Sequence, residues 1–352
     1  MWTDLADFDD HEMVVLCRDA GSGLRAIIAV HSTLAGPAAG GTRMWDYASE
    51  ADALTDALRL SRGMTYKNVM AGLPLGGGKS VIIGDAQRDK SDALLTAFAH
   101  RLNALGGTYI AAEDVGTSPT DIAVMAQVTD HVGGRPDRSG DPSPITAMGV
   151  YHGIKAAARA KFGSGQLTGK FIAVQGLGHV GWVLAERLSK DNARLIVTDI
   201  DREVVENAAW AFGAQPADVD EIHAVEADIF VPCALGGIIN PATIGEIKAP
   251  VIAGSANNQL ATPDMGAALH ERGILYAPDY VINAGGIISV ALEIEGHWDR
   301  DTAMKRAQDI GKTLTTIFHR SQAEGLSTAV IADTMARERL EALKARQEVE
   351  AV

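Results

Sequence analysis

Two lysines and an aspartate carry the most reactive chemistry in this sequence. Lys67 closes the run Arg62-Gly63-Met64-Thr65-Tyr66-Lys67, Lys79 follows the glycines at 76–78, and Asp114 follows the apolar run Thr108 to Ala112. The lysines lie twelve residues apart, one expected just after a helix and one just after a glycine run, so both can point into one cleft. Two ammonium groups brought together destabilise each other's charge, and burial adds to this, so one of them can titrate near neutral pH. A lysine with a lowered pKa can act as a general base, and one left charged can hold a carboxylate. Asp114, at the carboxyl end of a strand, is placed to move a proton or to hold an amino group. For any one of these residues alone, a solvated surface charge is the competing account.

The segment Gly76-Gly77-Gly78-Lys79-Ser80 also invites a phosphate-binding P-loop. That motif needs a glycine at 73, where Leu73 stands, and Gly72 comes one residue too early. It also needs a helix after the lysine. The residues that follow, Ser80-Val81-Ile82-Ile83, form a short β-branched run that predicts a strand. Three glycines ahead of a strand let the backbone approach something small while a lysine is presented to it.

The surrounding elements must position these groups. Residues 12–34 alternate apolar runs with turn residues and predict a β-hairpin. Ser49-Glu50-Ala51-Asp52 resembles a capping box opening an amphipathic helix that ends near Gly63. A helix over about 91–104, a strand over 108–112 and a helix near 119–129 complete a first α/β domain. The stretch 133–144, GGRPDRSGDPSP, reads as a linker. Beyond it, after a helix over 148–160, strands at 171–175, 195–198, 229–231, 251–253 and 274–276 alternate with helices or loops, the pattern of a doubly wound parallel sheet. A helical tail spans about 301–348. The expected division is a catalytic and oligomerisation domain over 1–140, a Rossmann domain over 141–325, and a C-terminal helix over about 326–352 that packs back on the first domain.

Gly176, Gly178 and Gly181 have the GxGxxG spacing, preceded by an apolar strand and followed by a helix. A second strand ends at Asp199, 23 residues after Gly176. The glycines suit the turn, the approach of a pyrophosphate and the packing of helix on strand; the carboxylate suits the ribose hydroxyls. A carboxylate there repels a 2′-phosphate, which favours NAD over NADP.

Bulk properties narrow the class. With 352 residues the chain suits two domains, and its net charge of −14 argues against nucleic acid or an anionic membrane as partner. Two separated cysteines, an acidic N-terminus unlike a signal peptide and no membrane-length apolar run point to the cytoplasm. The lack of HxxxH, HExxH or CxxC predicts no metal.

Gly40-Gly41-Thr42-Arg43-Met44, Arg62 to Lys67, Gly76 to Lys79 and Glu113-Asp114-Val115-Gly116-Thr117 resemble the leucine/phenylalanine/valine dehydrogenases. So do Gly176-Leu177-Gly178, Pro232 to Gly237, Ala256-Asn257-Asn258 and Asn283 to Gly286. These enzymes are similar to glutamate dehydrogenase and convert L-amino acids to 2-oxo acids and ammonia. The resemblance implies two α/β domains separated by an active-site cleft and a homo-oligomer. It makes Lys79 the base that activates water, Lys67 and Asn257 the carboxylate binders, and Asp114 the proton shuttle. It assigns NAD contacts to Arg43, Asp114, Val115, Thr146, Gly176, Gly178, His179, Val180, Gly181, Asp199, Ile200, Ala234, Leu235, Ser255, Ala256 and Asn257. The side-chain pocket maps to Ala39, Gly40, Met64, Ala112, Ile287 and Val290, all apolar, which disfavours a glutamate side chain. Within the family the motifs are closest to the leucine enzymes. Ala39 departs from their larger residue and implies a deeper pocket, and Thr42 replaces a cysteine. Leucine, valine and isoleucine are therefore expected ahead of phenylalanine. A non-catalytic NAD-binding sensor would have lost Lys67, Lys79 or Asp114, and an engineered amine dehydrogenase would have lost Lys67 and Asn257.

Overall fold

The computed structural model describes residue 5 and residues 7–350. Part of the acidic N-terminus, and the end of the expected C-terminal helix, lie outside the described residues. The first half of the chain runs β1 (Met13–Asp19), β2 (Leu24–Ser32), β3 (Ala38–Trp45), α1 (Glu50–Met70), β4 (Gly76–Ile83), α2 (Asp92–Asn103), β5 (Tyr109–Glu113) and α3 (Pro119–Met125). There follow α4 (Ser143–Phe162), β6 (Phe171–Gln175), α5 (His179–Lys190), β7 (Arg194–Thr198), α6 (Arg202–Phe212), β8 (Gln215–Pro216), β9 (Ile229–Pro232) and β10 (Val251–Ile252). The remainder is α7 (Asp264–Glu271), β11 (Leu275–Tyr276), α8 (Asp279–Ile282), α9 (Gly285–Ile294), α10 (Arg300–Gln308), α11 (Ile310–Glu324) and α12 (Thr328–Glu350).

These elements form two compact units. One holds the chain up to Pro142, Ile287–Asp299 and the chain from Ala336 onward; the other holds Ser143–Gly286 and Arg300–Met335. The first boundary falls close to the expected 140, but the second unit is not continuous to 325: part of α9 belongs with the first unit, and the second resumes to end at Met335. Glu293 of α9 is buried and accepts hydrogen bonds from the Gly134 and Arg135 amides and the Ser139 hydroxyl, while Val290 packs on Gly133. The expected linker is thus tied down over much of its length, and its last residues, from Ser143, begin α4.

In the first unit, β1-β2-β4-β3-β5 form a mixed sheet, with β1/β2 and β2/β4 antiparallel and β3 parallel to both β4 and β5. Side chains alternate across it. Ala26, Ile28, Val30, Met44, Ile82, Tyr109 and Ala111 face α2 and α3, whereas Ile27, Ala29, Val81 and Ile83 face Ala53, Ala57 and Leu58 of α1. Ser49 caps α1 by accepting from the Asp52 amide, as the capping pattern predicts.

Two local expectations need correction, and one element is unforeseen. The helix does not stop near Gly63 but runs to Met70, because its packing against β2 and β4 outweighs the roughly 1 kcal/mol that one internal glycine costs. The stop is at Gly72, with φ of +67°. Gly76 to Gly78 are not a loop before a strand; they are the first residues of β4, paired with β2 and β3. They are small because of what lies beside them: a Cβ on Gly77 would sit 2.1 Å from the Thr65 amide nitrogen, and one on Gly78 2.5 Å from the Tyr109 ring. The unforeseen element is β3, for which Ala-Ala-Gly-Gly gives no β-branched signal.

The second unit has a six-stranded, all-parallel sheet in the order β11-β10-β9-β6-β7-β8. Counted from β6, this is 6-5-4-1-2-3, the doubly wound order, with its switch point between β6 and β9. The two-residue β8 gave no signal in the sequence. Among the described residues no helix is long and apolar enough to cross a membrane.

Candidate active site and cofactor site

Strand alternation puts the reactive residues of the first unit on the α1 face. Lys79 lies between Gly77 and Val81 on β4, pairs with Ala29 of β2, and is buried. Its Nζ is 2.7 Å from Asp114 Oδ2, just beyond β5. The same oxygen accepts from Arg43 Nε of β3 at 3.0 Å. The other arm of Arg43, Nη1, donates to Asp56 Oδ2 of α1 at 2.9 Å, and the Tyr47 hydroxyl donates to that oxygen at 2.5 Å. Gly41 leaves room for the cluster: a Cβ there would lie 2.7 Å from Asp114 Cβ and 3.2 Å from Lys79 Nζ. Thr117 fixes the turn by donating to Thr42 O at 2.8 Å and accepting from the Asp114 amide at 2.9 Å.

The charges follow from this geometry. Burial pushes Lys79 below the ordinary lysine range; Asp114 opposes the shift, and Arg43 adds to it by repulsion. Lys79 is shifted in the expected direction, and the strongest repelling cation beside it is the Arg43 guanidinium. Burial works against ionisation of Asp114, yet the Lys79 and Arg43 charges outweigh it and hold its carboxyl below the usual range. The cluster can therefore keep a carboxylate charged beside an amine that releases its proton unusually easily.

The other expected residues of this unit lie on neighbouring elements. Lys67 is half-buried on the last turn of α1, not beyond the helix, and Met64 stands one turn earlier, where a Cβ on Gly40 would come 3.1 Å from its Cγ. Ala112 is buried on β5 opposite Gly41, and Ala39 is buried on β3 opposite Ile110. Val290 is buried and touches Gly133, whose amide bonds Ala111 O; Ile287 lies one turn before it on α9. Val115 is half exposed. Thr42, at the position of the cysteine in related motifs, accepts a hydrogen bond from Ser80 at 2.9 Å.

In the second unit the expected cofactor residues gather at the carboxyl ends of the parallel strands. Gly176 ends β6 with φ of +95°, and a Cβ on Gly181 would be 2.0 Å from Gly176 O, so α5 starts hard against the turn. Gly178 begins α5 without a side-chain cap and has open space where a Cβ would be; His179 is exposed and Val180 half-buried. Asp199 ends β7 and is fixed by the Leu177 amide at 2.6 Å and the Asp201 amide at 3.0 Å. Ile200 and Leu235 are 89% and 84% exposed. Ala234 lies against Gly176, Ala256 bonds Pro232 O, and Asn283 donates to Ser255 O and to the Asn257 side chain. Thr146 is buried in the first turn of α4 against Gly285. A tight turn, an open helix N-terminus, a fixed carboxylate and exposed apolar side chains fit a dinucleotide.

The chain matches the family model described as Glu/Leu/Phe/Val dehydrogenase, dimerisation domain, over residues 11–131, and the Glutamate/Leucine/Phenylalanine/Valine dehydrogenase model over 198–347. It is 54% identical to a leucine dehydrogenase of Geobacillus stearothermophilus over 95% of this chain and 92% of the relative. The chain belongs to this family. It is an NAD-dependent amino acid dehydrogenase. A valine dehydrogenase of Streptomyces coelicolor is 46% identical over 95% of this chain and 93% of the relative. The crystal structure of L-tryptophan dehydrogenase from Nostoc punctiforme superposes with a TM-score of 0.84, at 43% identity, covering 95% of this chain and 97% of that one.

Several residues of this dehydrogenase escape a reading of the sequence. Asp56 and Tyr47 complete the charged cluster, and Tyr109 donates to Gly40 O at 2.8 Å, fixing the peptide beside the pocket residues. The one available signal was Asp56 itself, a carboxylate beside the buried positions Ala53 and Ala57.

Proposed function

We propose that the chain oxidatively deaminates a branched aliphatic L-amino acid, leucine, valine or isoleucine, to its 2-oxo acid and ammonia, and runs the reverse amination. The buried Lys79–Asp114 contact, with apolar Gly40, Met64, Ala112, Ile287 and Val290 assigned to the pocket, carries this reading. Lys67 and Asn257 hold the substrate carboxylate. NAD, when bound, accepts the Cα hydride, and Arg43, Asp114, Val115, Thr146, the 176–181 turn, Asp199, Ile200, Ala234, Leu235 and the 255–257 turn are its proposed contacts. Lys79, as the free amine, then takes a proton from water as its oxygen bonds to Cα of the imino acid. Asp114 relays that proton from Lys79 to the substrate nitrogen; the C–N bond breaks, ammonia leaves, and the carbonyl forms as the hydroxyl proton passes back to Lys79. A low-lying Lys79 pKa favours the first of these proton transfers, because a base works best when its pKa lies near the working pH.

Small side chains at Ala39, Gly40 and Ala112 favour a second reading, a pocket that also admits an aromatic side chain. One methylene of extra room discriminates by only about 1–3 kcal/mol. Initial rates with leucine, valine, isoleucine, phenylalanine, tryptophan and glutamate, each with NAD and NADP, test both. The highest kcat/KM is expected for an aliphatic substrate with NAD; preference for an aromatic one installs the second reading, and preference for glutamate overturns both. A homo-oligomer in the cytoplasm accompanies the proposal. Support comes, for the oligomer, from the dimerisation-domain match over 11–131 and, for the compartment, from the two widely separated cysteines.

A further inference from the structure

Asp56 has no part in the scheme above, yet it holds one end of a continuous chain of contacts that reaches Lys79. Tyr47 and Arg43 both donate to Asp56 Oδ2, Arg43 also donates to Asp114 Oδ2, and Lys79 meets that same oxygen. A guanidinium presents its donors as a rigid fork suited to gripping both oxygens of one carboxylate. Here the fork is divided between two. Only Nε rests on Asp114, and Nη1 is held on α1. We propose that Asp56, braced by Tyr47, is a positioning residue for catalysis: by holding half of the Arg43 fork it leaves Asp114 shared with Lys79. The inference rests on the proposed roles of Lys79 and Asp114.

Without the Asp56 charge, Arg43 can turn its full fork onto Asp114 and draw it from Lys79. The charged groups that act most strongly on Lys79 are Asp114 beyond β5, Arg43 on β3 and Asp56 on α1; the phenols of Tyr47 and Tyr109 are neutral neighbours of the cluster. Removing Asp56 leaves Arg43 less compensated and makes Lys79 harder to protonate. Removing Arg43 does the opposite.

The test is the pH profile of kcat/KM for deamination of the best amino acid found in the substrate panel. For Asp56→Asn, the plateau is expected to fall roughly tenfold through misplacement of the reacting groups. Its acid limb is expected to move down by about half a pH unit. For Arg43→Gln the limb is expected to move up, and Asp56→Glu should return the limb towards that of the unaltered enzyme. Because Asp56 positions the reacting groups through Arg43, the plateau of the double variant Arg43→Gln/Asp56→Asn should match that of Arg43→Gln alone. That pair also carries the test if Asp56→Asn fails to fold. An acid limb unmoved in Asp56→Asn, or a double variant clearly worse than Arg43→Gln, overturns the proposal. Lys79→Ala, measured alongside, separates the two levels: full activity there overturns the underlying reading, whereas an inactive Lys79→Ala with an unmoved Asp56→Asn limb overturns only the role of Asp56.

Discussion

The two sites of this dehydrogenase are built from different materials. In the first unit the work falls to side chains: Lys79, Asp114, Arg43 and Asp56 form a chain in which each lies within hydrogen-bonding reach of the next, with Lys79 buried and the others partly shielded from water, so each charge depends on its neighbours. In the second unit it falls mostly to backbone: Gly176 in a left-handed conformation, an α5 terminus without a side-chain cap, and an Asp199 held by two amides. Buried charges tune acidity but fail together when one is removed. A backbone cradle sets no pKa but binds an anion wherever its shape is kept. Proton transfer and cofactor recognition are thus met by separate constructions, and each has its own weak points.

The largest effect should come from the one amine at the centre of the first site. Lys79→Ala is expected to lower kcat by about 10³-fold or more, within the range that a positioned base contributes. NADH binding, measured by fluorescence titration, should stay within about twofold of the unaltered protein, since the cradle lies in the other unit. A parallel loss of NADH affinity would break the distinction drawn between the sites.

A pair of glycine variants sharpens it from the other side. Gly181→Ala places a Cβ 2.0 Å from Gly176 O, so α5 must shift; both thermal stability and NADH affinity should fall, the affinity by roughly tenfold. Gly178→Ala meets nothing within 4 Å, so the melting temperature should hold. Its methyl would stand where a pyrophosphate approaches the helix start, so NADH should bind several-fold more weakly. Unchanged NADH affinity in Gly178→Ala would place the cofactor elsewhere.

This contrast also governs what the sequence discloses. The cofactor cradle is local: a strand, three glycines, a helix and Asp199 follow one another between Phe171 and Asp199, so spacing alone exposes them. The catalytic cluster joins residues far apart in the chain, Arg43 to Asp56 across 13 positions and Arg43 to Asp114 across 71. Residue types and family resemblance reach Lys79 and Asp114, but no periodicity predicts the contact that unites them. Strand β3 hides because its small residues make room for Lys79 and Asp114, not because they favour extended backbone. The end of α1 hides because packing on the sheet carries the helix through Gly63. The return of α9 to the first unit hides in a buried Glu293 whose partners lie more than 150 residues away.

The smallest effect concerns stability, and it again sets the units apart. In the first unit His31 is buried, with Nδ1 2.8 Å from Thr65 Oγ1 and its ring 4.9 Å from that of His11. Burial, with His11 and Arg62 adding and Asp9 opposing, lowers its pKa to about 4 from an ordinary 6.5. Between those values the unfolded chain takes up a proton that the folded one refuses, so acid favours unfolding. The stabilising difference is complete above about 6.5 and is lost as pH falls towards 4, a change of about 3 kcal/mol at most. His31→Gln keeps a hydrogen-bonding group near Thr65 but cannot titrate. Urea midpoints at pH 7 and pH 4.5 should therefore differ less in this variant than in the unaltered protein. An equal acid loss in both would assign the sensitivity to other groups, with Asp114 the next to examine, because it releases its proton more readily when folded and loses its contribution as pH falls through its lowered pKa.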